Sequence, residues 1–239
     1  METYLYDDLY RQEETHWWHI AKRELVTSLI RRYAGYEKLK LLDVGCGTGK
    51  NIETFGQFGR VWGIDKSSAA LAFCRKRGLT QVSAGSSDKT KFAPATFDAV
   101  TLLDVLEHTD DVITLREIKR ILKPRGHLVL TVPAYQWLWG RWDEVLHHKR
   151  RYTLNSLAQL LKSQGFVPLY ISYVYTFLLV PVIIVRFFKS LRKNTHYASD
   201  FDLILPSVNR ILLALARGEQ RLMRWGRLPF GTSIVCVAE

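Results

Sequence analysis

The sequence predicts an open, doubly wound α/β sheet with a helical insertion before its last strand. Short apolar runs alternate with helix-like segments from residue 39 to residue 133, the pattern of βαβ units and a parallel sheet. A glycine-rich turn, Gly45-Cys46-Gly47-Thr48-Gly49, directly follows the first apolar run. The last two strand-like runs are separated by residues 176–230, where a short hairpin would suffice.

Residues 14–32 read as a helix, with Trp17 and Trp18 early and basic residues on the far side. Leu39 to Val44 is the first strand, and the glycines after it mark a tight loop and a helix start. Arg60 to Asp65 is the second strand; Ser67 to Arg77 is a helix capped by Ser67 or Ser68. Gln81 to Ala84 and Phe97 to Leu103 are the third and fourth strands. A helix from Asp111 to Leu122 stops at Pro124 and Gly126, and His127 to Val132 is the fifth strand. Thr153 caps a helix over Leu154 to Gln164 that Gly165 ends. A sixth strand over Phe166 to Tyr173 and a last one over Thr232 to Ala238 complete the set. Ligands of such sheets bind beyond the carboxyl ends of the strands.

The 239 residues suit one domain with an elaboration, and 47% hydrophobic with 24% charged residues excludes a disordered chain. A net charge of +11 points to an anionic partner, either nucleic acid or an acidic membrane face. Cys46, Cys74 and Cys236 have no metal-cluster spacing, so no metal is expected. The odd cysteine count and an acidic start without an apolar leader fit the reducing cytosol.

The glycine turn carries the strongest chemical signal. Its spacing is GxGxG rather than GxGxxG, and Asp43 stands just before Gly45. A carboxylate beside a pyrophosphate is repulsive, which argues against a dinucleotide; a cationic sulfonium and amino group would be welcome there. Asp65, ending the second strand, suits two ribose hydroxyls, although a helix-capping role is the alternative.

Five segments in order resemble the successive motifs of class I S-adenosylmethionine-dependent methyltransferases. They are Asp43 to Gly49, Asp65, Ala84-Gly85-Ser86-Ser87 through Asp98, Leu103-Asp104-Val105-Leu106-Glu107-His108, and Leu122-Lys123-Pro124-Arg125-Gly126. The resemblance implies a Rossmann-like, seven-stranded sheet with its last strand antiparallel, and S-adenosylmethionine as cofactor. It places Asp43, Gly45, Gly47 and Gly49 on the methionine portion, Asp65 with Lys66 at the ribose, and Ser86 and Ser87 at the adenine. Leu103 flanks the donor. Two positions depart from the pattern: Ser86 stands where relatives usually carry an acid, and Arg125 where they carry glycine.

Residues 133–153 follow the fifth strand and open beside the donor's methyl group. Tyr135, Trp137, Trp139 and Trp142 are candidates to wall an apolar pocket, with Asp143, His147 and His148 as its polar groups. A hydroxyl acceptor must lose its proton, which a histidine near its ordinary pKa can take. The pattern Asp143, His148, Arg150, Arg151, Tyr152 resembles a branch that includes quinone- and lipid-pathway methyltransferases. His16-Trp17-Trp18 with Arg23 fits the same branch, where such a helix lids the donor. The resemblance implies His148 as base with His147 as substitute and Asp143 beside them, and Tyr135, Trp139, Arg151 and Tyr152 as acceptor contacts. The alternative is that both histidines only anchor a loop to neighbouring acids.

The expected organisation is a helical lid over 1–38, a core over 39–175 and 231–239, and an insertion over 176–230 that roofs the acceptor side. Thr176 to Phe188 is almost wholly apolar, too short to span a bilayer and interrupted by Pro181. The basic, aromatic run Arg186 to Lys193 follows it. A helix over Ser207 to Trp225 sets Arg210, Arg217, Arg221 and Arg224 on one face. These features read as a membrane-interface device; a buried helical subdomain or a dimer face is the alternative.

The resulting expectation is a cytoplasmic enzyme, peripheral on the inner membrane face, methylating a hydrophobic or lipid-linked acceptor on oxygen. An RNA methyltransferase is the runner-up, although Leu103-Asp104-Val105-Leu106 is not the Asn/Asp-Pro-Pro-aromatic set of amino-group nucleic-acid methylases. A catalytically silent S-adenosylmethionine-binding protein is the third reading. Oligomeric state is left open.

Overall fold

The computed structural model describes residues 5–35, 38–190 and 205–239. The N-terminal segment forms two helices, α1 (Leu5–Gln12) and α2 (Trp17–Tyr33). The helix expected over 14–32 starts later because His16 takes the cap position, its Nδ1 accepting from the Trp18 N–H at 3.3 Å. The alternating core runs β1 (Leu39–Val44), α3 (Lys50–Phe55), β2 (Gly59–Asp65), α4 (Ser68–Lys76), β3 (Val82–Ala84), β4 (Phe97–Leu103), α5 (Asp111–Ile121) and β5 (Leu122–Pro133). Then follow α6 (Arg141–Val145), α7 (Leu154–Ser163), β6 (Pro168–Val174), α8 (Leu179–Ser190), α9 (Pro206–Leu222) and β7 (Ser233–Ala238). Side-chain caps start the core helices: Ser67, Asp110 and Thr153 each accept from a backbone N–H one turn in.

The sheet order is β3-β2-β1-β4-β5-β7-β6. β1 to β5 pair in parallel, while β7 lies antiparallel between β5 and β6. Neighbouring residues alternate faces, as a strand's two-residue period requires. Leu41, Ala99, Val129 and Val235 face the layer of α2, α3, α4 and α9. Leu42, Val100, Leu130 and Cys236 face α5 and α7. Each such leucine, withdrawn wholly from water, contributes about 2 kcal/mol of transfer energy before entropy is counted. The order reverses between β1 and β4, so the crevice for a ligand opens at their carboxyl ends. There Gly45 has φ +71, and a Cβ on it would meet Val105 Cγ2 at 2.5 Å, so only glycine fits.

α9 packs lengthwise on α2, with Asn209 accepting from the Trp17 N–H and donating to the Thr15 carbonyl, both at 2.8 Å. Gln220 donates to the Ala21 carbonyl at 2.8 Å, and Arg217 pairs with Glu24 at 2.6 Å. The helical period divides α9 into three faces. Leu212, Leu213, Ala216 and Glu219 turn inward; Arg210, Arg217 and Arg221 are exposed on a second face. Val208, Ile211, Leu215 and Leu222 are exposed on the third. Small Ala216, fully buried, allows the close approach to α2. On α8, Val180, Ile183, Ile184 and Val185 are exposed. Of the basic run Arg186 to Lys193, the side chains of 186–190 and all of 191–193 lie outside the described residues.

One turn departs from the expected strand limits. β5 begins at Leu122, which pairs with Phe97, and rejoins β4 at His127 opposite Ala99. Lys123 to Gly126 bulge out between them, with Arg125 at φ +64. Left-handed backbone costs a side-chain-bearing residue about 1–2 kcal/mol, partly offset in glycine by its freer unfolded chain. Arg125→Gly is therefore expected to stabilise the fold by about 0.5–1 kcal/mol, read as a rise of a few degrees in melting temperature.

Candidate active site

β1 ends on a carboxylate sealed inside the protein. Asp43 is 1% exposed; its Oδ1 accepts from Thr101 Oγ1 at 2.5 Å, and its Oδ2 has no partner among the described residues. Thr101 is its register neighbour on β4, so the contact follows from strand pairing alone. Burial pushes the Asp43 carboxyl up to about 7, against the lowering effect of the Thr101 hydrogen bond. A cationic group beyond the glycine loop would satisfy the free oxygen.

The glycine loop is tied to β2 through Asp65, which accepts from the Gly47 N–H at 2.9 Å and the Ser67 N–H at 2.8 Å. Asp65 thus ties the glycine loop to the entry of α4. Lys66 beside it is exposed. Of the expected adenine contacts, Ser86 donates to Asp88, and Ser87 is buried with its hydroxyl 3.2 Å from Thr114 Oγ1. Asp88 therefore restores an acid beside the position where Ser86 replaced one. Leu103 is nearly buried at the end of β4.

α1 covers this loop, which the sequence reading assigned to Trp18 and Arg23. Tyr6 hydrogen-bonds Ser67, and a Cβ on Gly47 would lie 3.5 Å from Leu9 Cδ2. Thr48 donates to Glu13, while buried Arg77 donates to the Thr48 carbonyl at 3.0 Å and pairs with Glu13 at 3.3 Å and Glu14 at 2.8 Å. The signal for these residues was present: 6, 9 and 13 fall on one helical face. Arg23 donates to the Glu13 carbonyl at 2.9 Å and lines a groove between α2 and α9. Trp18 stacks under Lys22, whose ammonium lies 3.7 Å from the ring and 2.6 Å from Asp104 at the donor edge.

The acceptor side is organised by a second buried acid. Asp143, 0% exposed, accepts from His148 Nδ1 at 2.9 Å, Arg151 at 2.7 and 3.0 Å and the Gly140 N–H at 2.8 Å. Burial alone would raise its pKa, but His148 and Arg151 hold it down to about 2. With Nδ1 engaged, His148 keeps Nε2 for other work. Its ring stands edge-on to His108 at 4.7 Å. Burial and the neighbouring His148 hold His108 down to about 4, so its imidazole is neutral. Glu107 is fully buried, and neither of its oxygens has a partner among the described residues. Burial and nearby Asp104 push it well above the ordinary carboxyl range.

The remaining expected residues divide. His147 adopts φ +57 with its side chain exposed, and its backbone hydrogen-bonds His108, so it does not join the cluster as a second base. Tyr135 stacks on Tyr173 at 4.9 Å and on Trp137 at 5.1 Å; Tyr135 and Trp139 are half-buried, and Trp137 is 61% exposed. Tyr152 is buried with its hydroxyl donating to Asp111 at 3.1 Å, and Arg150 pairs with Asp111 at 2.6 Å. Arg151 also donates to the Ala134 carbonyl at 3.1 Å. Arg151 and Tyr152 thus tie the loop to Asp143, Ala134 and Asp111.

Comparison with known proteins accords with this geometry. Residues 42–130 match the model of the methyltransferase domain family. A ubiquinone biosynthesis O-methyltransferase of Pseudomonas aeruginosa is 36% identical over 113 residues, which are 43% of this chain and 47% of that protein. The chain thus spans about half the length of the curated relatives it matches. Among solved structures, an S-adenosylmethionine-dependent methyltransferase from Archaeoglobus fulgidus aligns with TM-score 0.57 and 19% identity, over 90% of this chain and 93% of that one. A Haemonchus contortus phosphoethanolamine N-methyltransferase in complex with S-adenosylmethionine aligns with TM-score 0.59 and 18% identity, over 89% of this chain and 51% of that one. At such identities the structures establish the fold alone, and the methyltransferase-domain match is confined to residues 42–130.

Proposed function

We propose that this chain transfers a methyl group from S-adenosylmethionine to a hydroxyl oxygen of a hydrophobic, quinone-pathway type of acceptor at an anionic membrane surface. The observation that carries the proposal is the Asp143–His148 pair in the loop that follows β5, together with the buried, partnerless Asp43 oxygen of β1. When bound, the donor supplies an electrophilic methyl on a cationic sulfur. Asp43, once ionised, gives that end of the site a buried carboxylate that favours a cation. Asp143 holds His148 in one tautomer and aims its Nε2 into the site, where it takes the proton of the acceptor hydroxyl. Tyr135 and Trp139 offer an apolar rim, and α1 excludes water from the donor loop. The relatives named for ubiquinone biosynthesis support oxygen as the methylated atom.

The membrane part of the proposal rests on α8 and α9. No helix among the described residues is long and apolar enough to cross a bilayer. The exposed apolar stripe of Val208, Ile211, Leu215 and Leu222 runs beside the arginine face, and Trp225, 93% exposed, follows it. Next to them a groove of about 460 Å³ between α2 and α9 is lined by Arg23, Arg31, Arg217, Arg221 and Arg224 with only Glu24 in opposition. Apolar side chains beside several cations suit an interface rich in anionic lipid.

Three outcomes are expected. Donor affinity measured by calorimetry should tighten as pH rises from about 5 to about 7, because Asp43 must ionise to meet the cation, and then level off. Asp43→Asn should flatten that profile and weaken binding, while NAD shows no binding to either protein. His148→Gln should lower kcat toward a catechol-type acceptor by about a hundredfold with little change in donor affinity; an unchanged kcat would remove the base. Leu215→Glu with Leu222→Glu should abolish co-sedimentation with phosphatidylglycerol vesicles at low salt without weakening donor binding. Indifference of the unaltered protein to such vesicles, with salt-sensitive binding to RNA instead, would reverse the choice of partner.

A further inference from the structure

We propose that the groove between α2 and α9 binds the diphosphate group of an organic ligand. This narrows the anionic partner of the proposed function to one chemistry, and it rests on that reading only for where the rest of the ligand lies. The groove has a volume of about 460 Å³, room for more than a lone anion. Its walls come from opposite ends of the chain, and only folding brings them together.

The groove is built from two rows of side chains. On α2, Arg23, Thr27 and Arg31 follow at steps of four and share one face. On α9, Arg217, Arg221 and Arg224 follow at steps of four and three and share another. The two helices run in the same direction, since Asn209 meets Thr15 and Trp17 while Arg217 meets Glu24. The rows therefore face each other and ascend the slot together. At about 1.5 Å per residue, Arg23 to Arg31 spans about 12 Å, more length than a single phosphate occupies.

Charge and hydrogen bonding select the ligand. Guanidinium groups grip phosphate oxygens with two parallel N–H donors. Glu24 is the one acid among the lining residues, and Arg217 holds both of its oxygens, at 2.6 and 2.9 Å. Arg23 donates to the Glu13 carbonyl and Arg31 to Gln57 Oε1, each at 2.9 Å and each a neutral acceptor. Arg221 and Arg224 form no ion pair among the described residues. A phosphodiester headgroup brings one negative charge and leaves most of this surplus unmatched, whereas a diphosphate ester brings two or three. Thr27 adds a second, independent observation. Its Oγ1 is buried with no partner among the described residues, an unmet hydroxyl between two arginines. A turn about χ1, which helical threonines readily make, presents it to a phosphate oxygen. Beside the α9 row, exposed Val208, Ile211, Leu215 and Leu222 offer an isoprenoid tail an apolar track, which a soluble diphosphate would not use.

The test uses the full chain in vesicle-free buffer at low salt. Inorganic diphosphate, ADP and geranyl diphosphate are titrated by calorimetry, with sulfate as the charge control. One equivalent of diphosphate is expected to bind, at least about tenfold tighter than sulfate. Arg221→Ala combined with Arg224→Ala should weaken it at least about tenfold, and Thr27→Val, which leaves every charge in place, about threefold to tenfold. A diffuse cationic field would not register Thr27→Val; a built site would. Arg125→Gly, outside the groove, should bind as the unaltered chain does. Geranyl diphosphate binding tighter than ADP, with the advantage lost in Leu215→Ser while inorganic diphosphate is unaffected, assigns a lipid source; ADP binding as tightly or tighter assigns a soluble one. The site is overturned if none of the three diphosphates binds saturably, if sulfate binds equally well, or if neither the arginine pair nor Thr27 matters. Tighter binding of single-stranded RNA than of any diphosphate also overturns it. Calorimetry with S-adenosylmethionine on the same variants reports whether the fold survives. No vesicle enters these titrations, so failure of the diphosphate site is not confused with failure of the membrane or methyltransferase reading.

Discussion

The chemistry at the edge of this sheet depends on carboxylates that the fold buries without neutralising. Asp43 is the first: strand pairing sets it beside Thr101, which satisfies one oxygen and leaves the other bare. In water that oxygen would be hydrated; inside the protein it holds its proton until a cation arrives. The glycine loop supplies the route to it. Gly45 cannot carry a side chain because Val105 occupies the space, and Gly47 is held by Asp65.

Asp143 and Glu107 are equally buried and behave oppositely. Asp143 is surrounded by donors from His148, Arg151 and Gly140, which keep it ionised at any ordinary pH and turn it into a fixed support. Glu107 has none of these and is driven toward its neutral form. One acid holds the loop after β5 in shape; the other lies beside the two imidazoles of His108 and His148. Tyr152 and Arg150 both engage Asp111 and so brace the same loop.

The N- and C-terminal parts of the chain meet across one face of the sheet. α9 lies on α2 through Asn209, Gln220 and the Arg217–Glu24 pair, and Glu219 reaches β6's end by accepting from the Tyr175 and Thr176 N–H groups at 2.5 and 2.7 Å. Exposed ion pairs of this kind contribute little each; the buried Ala216 and Met223 and the capping of otherwise bare backbone groups contribute more. The apolar outer face of α9, with Val208, Ile211, Leu215 and Leu222, stays exposed beside this packing.

The local code was sufficient for the strands, their helices and the donor loop. Two-residue alternation, Ser67, Asp110 and Thr153 as caps, and glycines after β1 are all properties of short segments, and they limited the fold to one class. The placement of Asp43, Asp65 and His148 at a strand end or in a loop beyond one was legible for the same reason. The hydrogen-bond partners of Arg151, Tyr152, Ser87 and Arg23 were not, because nothing local names them. The joining of Glu107, His108 and His148, the lid contacts of Tyr6 and Leu9, and the seating of α9 on α2 were decided only by the closing of the sheet. Long-range contact and burial, not residue type, determine whether a side chain faces a ligand, a neighbour or water.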